Sequence, residues 1–243
     1  MEGEMGNSGT PPKAALVLLT LNEIDGLKAL FDRLPRKAFE ELFAVDGGST
    51  DGTTEYLRER GIRVVPQERR GRGEAFRVAV ASAEGDHLVF YSPDGNEDPD
   101  DILPLLQKLR EGVDMAVASR FLPGARDEDA GKIFPIRRWG NLMFSWVANR
   151  LWNRETYITD TINGFRAVTK SAFLKMNPTA LRFPIEFQMS IRAMKLGLKV
   201  AQLPTHEKSR IGGRSKAGTF RTGWELCRVL WDEFWSGPIR NSC

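Results

Sequence analysis

Asp94 and Asn96 lie two residues apart in the run Tyr91-Ser-Pro-Asp-Gly-Asn-Glu-Asp98. A carboxylate and an amide oxygen at that spacing can share one hard divalent cation. Such a cation is the usual means of holding a nucleotide diphosphate. The run follows the apolar stretch His87-Leu-Val-Phe-Tyr91, so both side chains sit where a buried strand opens into a loop. Three other places repeat the arrangement: Thr20, Asn22 and Glu23 follow the apolar residues 14–19, Asp46, Ser49 and Asp51 follow 42–45, and Arg120 follows 115–119. Each loop alone has the composition of an ordinary turn. Several such loops along one edge of a sheet make a binding site.

The elements that position these loops follow from periodicity. Residues 14–19 are continuously apolar, as a strand buried on both faces requires. Leu27, Leu30, Phe31 and Leu34 recur at helical spacing. Further strands are predicted at 42–45, 62–65, 88–91 and 115–119, with helices at 53–60, 73–83 and 100–110 between them. Strands alternating with helices predict a mostly parallel sheet wrapped by helices, with ligands beyond the carboxyl ends of the strands. Past Arg120 the pattern changes. Residues 121–134 read as a loop rich in proline, glycine and charge, expected to be mobile. Trp139, Leu142, Met143, Trp146, Val147 and Leu151 form a helical stripe. Residues 156–170 read as two strands about the turn Asn163-Gly164. A helix at 186–196 stops at Gly197, a strand follows at 199–203, then a glycine-rich basic loop at 212–218 and an aromatic helix at 220–235.

Composition fits a globular α/β chain: 243 residues, 41% hydrophobic and 28% charged. A net charge of +3 suits a phosphate-bearing ligand or an anionic surface without demanding either. Cys227 and Cys243 supply neither a disulfide framework nor a CxxC metal site, and a reducing compartment is expected. No stretch approaches the length of a spanning helix. No basic stripe interleaved with aromatics calls for nucleic acid. Residues 1–12 read as a disordered lead-in, 13–218 as one α/β domain, and 219–243 as an amphipathic helix and tail.

Asp46-Gly-Gly-Ser-Thr-Asp-Gly-Thr53 resembles the nucleotide-binding signature of glycosyltransferase family 2, whose fold is GT-A. Three more segments agree in order. Leu19-Thr-Leu-Asn-Glu23 is similar to the family's first loop. Asp160-Thr-Ile-Asn-Gly-Phe-Arg166 is similar to its acceptor-side D-x-x-S-G-F-R segment. Arg210-Ile-Gly-Gly-Arg-Ser-Lys216 is similar to the R-x-x-G-x-S-K segment of the dolichyl-phosphate mannose synthase branch. Four ordered segments weigh far more than any one of them.

The resemblance implies a GT-A (Rossmann-like) α/β fold with a C-terminal helical extension. It implies inverting transfer of a hexose from GDP-mannose or a UDP-hexose to a polyprenyl phosphate such as dolichyl phosphate, assisted by Mg²⁺ or Mn²⁺. Asp94 and Asn96 are then the metal residues, and Asp94, Arg210 and Lys216 the catalytic group. Thr20, Asn22, Glu23, Asp46, Gly48, Ser92 and Ser215 line the nucleotide. Arg120, Arg137, Arg138 and Asp160 serve the acceptor phosphate, which arginine can grip bidentately. Two compatible readings stay open for this segment: Asp46 accepting N–H groups of a uracil or guanine edge, and a strand-to-helix turn with Ser49, Thr50 or Asp51 as its N-cap. The chain departs from the family pattern at Ser92, where the Asp-x-Asp motif has its first Asp, and at Asn163, where Ser is usual. A phosphate acceptor is already a nucleophile, and neither His87 nor His206 is placed as a base. Two alternatives stand beside this reading: a soluble acceptor, and a non-catalytic nucleotide-sugar-binding subunit of a membrane complex. The expected location is cytoplasmic, peripheral on the cytoplasmic face of a membrane, and the Trp- and Arg-bearing helices suit either a lipid surface or a membrane-protein partner.

Overall fold

The computed structural model describes residues 12–126, 136–155, 157–211, 219–237 and 239. Seven strands form one sheet in the order β3-β2-β1-β4-β6-β5-β7. They are β1 (Ala14–Thr20), β2 (Glu41–Asp46), β3 (Arg63–Pro66), β4 (His87–Tyr91), β5 (Met115–Ser119), β6 (Arg166–Thr169) and β7 (Val200–Pro204). Strand β6 runs antiparallel between β4 and β5, and every other pairing is parallel. The carboxyl ends of β1, β2, β4, β5 and β7 therefore share one edge, and the predicted polar loops emerge there.

The period-2 alternation of β1 shows why its apolar run had to be a central strand. Ala15, Val17 and Leu19 enter one core, with α3 (Arg72–Ser82), α6 (Lys170–Met176) and α7 (Ile185–Leu196). Ala14, Leu16 and Leu18 enter the other, with α1 (Ile24–Leu30), α2 (Thr53–Glu59) and α4 (Ile102–Arg110). A third cluster joins α5 (Ile136–Trp152), α7 and α8 (Thr219–Trp235) through Phe144, Ala148, Phe187, Ile191, Leu226 and Val229. The C-terminal helix is thus part of the packed body.

Two expectations are corrected between 156 and 176. Of the two strands about Asn163-Gly164, only β6 exists. Side chains claim the backbone ahead of it: Asn149 Oδ1 accepts from Ile158 N at 2.9 Å, and Gln202 Oε1 accepts from Thr159 N at 2.7 Å. Asp160 Oδ1 takes the N–H of Asn163 at 3.1 Å. Groups satisfied in this way have no ladder to form. Lys170 opens α6 instead of ending a strand, because Thr169 caps it, its hydroxyl accepting from Ala172 N at 3.2 Å. The lead-in through residue 11, most of the 121–134 loop and the 212–218 loop lie outside the described residues.

Candidate active site

The first two loops are laced together. Asn22 sits at φ 55°. Its N–H donates to Ser49 Oγ at 2.8 Å, and its Oδ1 accepts from Thr50 N at 2.7 Å. Glu23 N donates to Thr53 Oγ1 at 2.9 Å. Asp46 is the knot. Its Oδ1 accepts from Gly48 N at 2.9 Å and Ser49 N at 2.8 Å, and its Oδ2 from the hydroxyls of Thr20 at 2.9 Å and Ser49 at 2.5 Å. These four donors fill the carboxylate's acceptor sites. Asp46 therefore braces its own turn, and a base N–H would have to displace a hydroxyl to reach it. Gly48 bends the turn at φ +93°, a left-handed conformation natural to glycine.

The proposed metal loop follows β4. Asp94 Oδ1 accepts from Asn96 N at 2.9 Å, and its Oδ2 meets Arg210 Nη1 at 2.5 Å. Arg210 Nη2 reaches both oxygens of Glu23 at 3.0 Å. Three residues from distant parts of the sequence thus meet at one point. Backbone pairing holds them there: Ile211 N donates to Asp94 O at 2.8 Å, Lys208 N to Asn96 O at 3.0 Å, and Asn96 Nδ2 to Lys208 O at 2.9 Å. Gly95 allows this approach, since a Cβ there would lie 2.6 Å from Ile211. Ser215 and Lys216 lie outside the described residues.

Ser92 belongs to a second, more buried group that the sequence analysis missed. Arg72, first residue of α3, donates from Nη1 to Ser92 Oγ at 3.0 Å and from Nε to Glu186 Oε1. Glu97 Oε2 accepts from Ser92 N at 2.6 Å, and its Oε1 lies 3.9 Å from Arg72 Nη2. Burial pushes Glu97 up to about 8, with Asp94 adding to the rise and Arg72 opposing it. Burial alone would lower Arg72, but Glu186 and Glu97 outweigh it and raise its value. Gly164 of the Asn163-Gly164 turn explains itself here, because a Cβ on it would lie 2.0 Å from Arg72 Nη2. The available signal was Arg72 between two glycines. Gly71 sits at φ +145°, and a Cβ on Gly73 would lie 1.9 Å from Ala180 O.

The residues assigned to the acceptor also converge. Arg120 grips Asp160 through Nε at 2.7 Å and Nη2 at 3.0 Å, and reaches Glu207 from Nη1 at 3.4 Å. Arg137 Nη2 meets Glu207 at 3.2 Å. Arg138 and Arg120 lie over the Phe121 ring at 5.2 and 5.5 Å. Burial would raise Asp160, but Arg120 and backbone N–H groups outweigh it and hold the carboxyl below its ordinary range. Glu207, unnoticed in the sequence, bridges two of these arginines. The chain between Thr205 and Ile211 passes from this cluster to Asp94. Neither histidine is placed as a base: His87 is buried at the start of β4, and His206 Nε2 pairs with Gly124 O at 2.8 Å.

The sequence model described as glycosyl transferase family 2 matches residues 15–176, more than half of the chain. The chain belongs to glycosyl transferase family 2. It is 29% identical over 197 residues to the glycosyltransferase AglJ of Haloferax volcanii, covering 81% of this chain but 63% of that protein's length. It is 27% identical over 212 residues to a dolichyl-phosphate hexose transferase of the same organism, covering 86% of this chain and 88% of the other. Among solved structures, glucosyl-3-phosphoglycerate synthase from Mycobacterium tuberculosis, bound to Mn²⁺, UDP and phosphoglyceric acid, superposes with a TM-score of 0.72 at 23% identity. The likeness covers 95% of this chain and 80% of that one. The GT-A fold expected from the sequence is thus the observed one, and the chain is a glycosyltransferase.

Proposed function

We propose that the chain transfers a hexose from a nucleoside diphosphate sugar to a lipid-borne phosphate, a polyprenyl phosphate such as dolichyl phosphate. The observation that carries this reading is the gathering of Arg120, Arg137 and Arg138 around Phe121 and Glu207, linked by residues 205–211 to the Asp94 loop. Guanidinium groups in that number suit a phosphate better than a sugar hydroxyl. The relative named for dolichyl-phosphate hexose transfer supports the same acceptor.

The residues present fit a hard divalent cation. Asp94 offers a carboxylate, and the Asn96 amide oxygen carries no hydrogen bond among the described residues. Those residues contain no group of three or more His, Cys, Asp or Glu side chains able to hold a metal, so phosphate oxygens and water would complete its shell. When bound, Mg²⁺ or Mn²⁺ neutralises charge developing on the leaving diphosphate. The solved GT-A neighbour with Mn²⁺ and UDP supports this cofactor.

In the proposed step, an acceptor phosphate oxygen forms a bond to the anomeric carbon as the bond to the diphosphate oxygen breaks. Attack from the face opposite the leaving group inverts the centre. The phosphate is already deprotonated, so no general base is needed. Arg210 moves its charge from Asp94 towards the diphosphate, while Arg120, Arg137 and Arg138 hold the nucleophile. Thr20, Asn22, Glu23 and Gly48 form the nucleoside side of the cradle. Ser215 and Lys216 of the R-x-x-G-x-S-K segment are assigned to the diphosphate.

The aromatic helices support a lipid-borne acceptor. Five of the chain's six tryptophans, Trp139, Trp146, Trp224, Trp231 and Trp235, are exposed on α5 and α8. Helix α5 carries no acidic residue, and its first turn supplies Arg137 and Arg138. No helix among the described residues is long and apolar enough to cross a membrane. The exposed tryptophans and the arginines suit contact with a membrane surface.

The test offers GDP-mannose and UDP-glucose, with Mn²⁺, to the protein and follows transfer to dolichyl phosphate in vesicles or to soluble 3-phosphoglycerate. Transfer to the lipid is expected. Transfer to the soluble phosphate alone would overturn the acceptor assignment, and nucleotide-sugar binding with no turnover on either would favour a binding subunit.

A further inference from the structure

Position 92 holds Ser where the family motif has its first Asp, yet an acidic side chain still reaches that position. Glu97 folds back five residues, and its Oε2 accepts from Ser92 N at 2.6 Å. Its Oε1 lies 3.9 Å from Arg72 Nη2, while Arg72 Nη1 donates to Ser92 Oγ at 3.0 Å. Ser92, Arg72 and Glu97 thus form a closed triangle at the loop that carries Asp94. Glu97 is not an exposed loop acid: its side chain is 12% exposed and Arg72's is 18%. The Tyr91 hydroxyl also donates to the Glu97 carbonyl at 3.4 Å, tying the loop back to β4.

We propose that Ser92 and Glu97 are an exchanged pair, in which the acid missing from the first motif position is supplied from position 97. Glu97 is a positioning residue. It holds the Ser92 backbone and the Arg72 guanidinium in the orientation from which Arg72 and the Ser92 hydroxyl face the metal–diphosphate group. This inference rests on the donor-site reading given above.

The exchange has a consequence contrary to simple restoration of the motif. Ser92→Asp alone would replace the hydroxyl that accepts from Arg72 by a second acid against Glu97, beside Asp94, with Arg72 already engaged by Glu186. Two acids so close cannot both keep their charge, and both draw on the same guanidinium. Asp at 92 becomes acceptable once the acid at 97 is removed.

The experiment is a double-mutant cycle on Ser92→Asp, Glu97→Ser and the combined S92D/E97S. Thermal melts measure the Mn²⁺ concentration giving half-maximal stabilisation, in the presence of whichever of UDP and GDP stabilises the wild type. Each single variant is expected to need about 10-fold or more Mn²⁺, the scale of losing a group that orients a metal site. The combined variant should return to within about 3-fold of wild type, a residual loss well short of that scale. A Ser92→Asp variant that binds Mn²⁺ as well as or better than wild type would overturn the proposal, as would losses that simply add. Glu97→Gln keeps an acceptor for Ser92 N and should need less Mn²⁺ than Glu97→Ser, whereas a loss as large as that of Glu97→Ser would overturn the positioning role. If neither nucleotide stabilises the wild type, the donor-site reading fails. The cycle is then read on unliganded melting temperatures, where the two substitutions should still couple and additivity overturns the pairing.

Discussion

Asp160 is wholly buried and still ionised because Arg120 meets both of its oxygens and the N–H of Asn163 adds a third donor. Removing one partner of a buried pair leaves an uncompensated charge, so Asp160→Ala should cost about 3–5 kcal/mol in urea unfolding. The pH dependence follows from the sign of the shift. The folded carboxyl lies below its unfolded value of about 3.9, so the pair stabilises fully above that value and is lost as pH falls through the folded one. The stability gap between wild type and Asp160→Asn should therefore be flat near neutrality and close only in strong acid. Asp94→Ala removes the carboxylate offered to the metal. It should abolish Mn²⁺-dependent stabilisation by nucleotide and lower turnover by about 100-fold or more. Gly164→Ala drives a methyl group into Arg72 and should cost about 1–3 kcal/mol, an overpacking penalty measurable by denaturation.

At the scale of elements, α8 is held by a buried acid as well as by its apolar face. Glu233 is 1% exposed and receives Lys195 at 2.8 Å, Arg192 at 2.7 Å and Gln188 at 2.8 Å, all from α7. Burial alone would raise its carboxyl, but these donors outweigh it and hold the value down. Glu233→Ala should destabilise by about 3–5 kcal/mol. It should also speed amide hydrogen exchange across α8 well before the central sheet, since the helix would then rest mainly on its apolar residues Leu226, Val229 and Leu230. Little change in α8 protection would show that its apolar contacts suffice.

At the scale of the molecule, the two exposed aromatic helices pack side by side on α7, and α5 begins at the arginine cluster. If this face meets lipid, the protein should float with vesicles containing anionic lipid. Replacing Trp146 and Trp231 together by Ser should abolish flotation without affecting nucleotide-dependent stabilisation. Floating of that variant equal to wild type would remove the membrane from the account. A nucleotide–Mn²⁺ complex at about 100 times its dissociation constant should raise folding stability by roughly 2.7 kcal/mol, a shift readable as melting temperature.

Much of the fold was legible because its signals are local. The buried runs of β1, β4 and β5, the αβ alternation and the glycine stops at 61 and 197 each depend on a few neighbouring residues. The order of polar loops along one edge then followed from the parallel sheet. The 157–165 loop was not legible, since its backbone is held by Asn149 on the preceding helix and by Gln202, 43 residues from Thr159. The sequence named Asp94, Glu23 and Arg210 but could not bring them together, because 116 residues separate Asp94 from Arg210. Pairing across such a span is decided by the packing of whole elements. Tertiary structure likewise showed four donors converging on the Asp46 carboxylate. It also revealed Arg72, Glu97, Glu186 and Glu207, whose residue types are ordinary in a charged chain. Residue types and local spacing determined which chemistry this protein carries. Only the meeting of distant loops decided which groups share it, because charge and hydrogen bonding act across distances in space and are blind to distances along the chain.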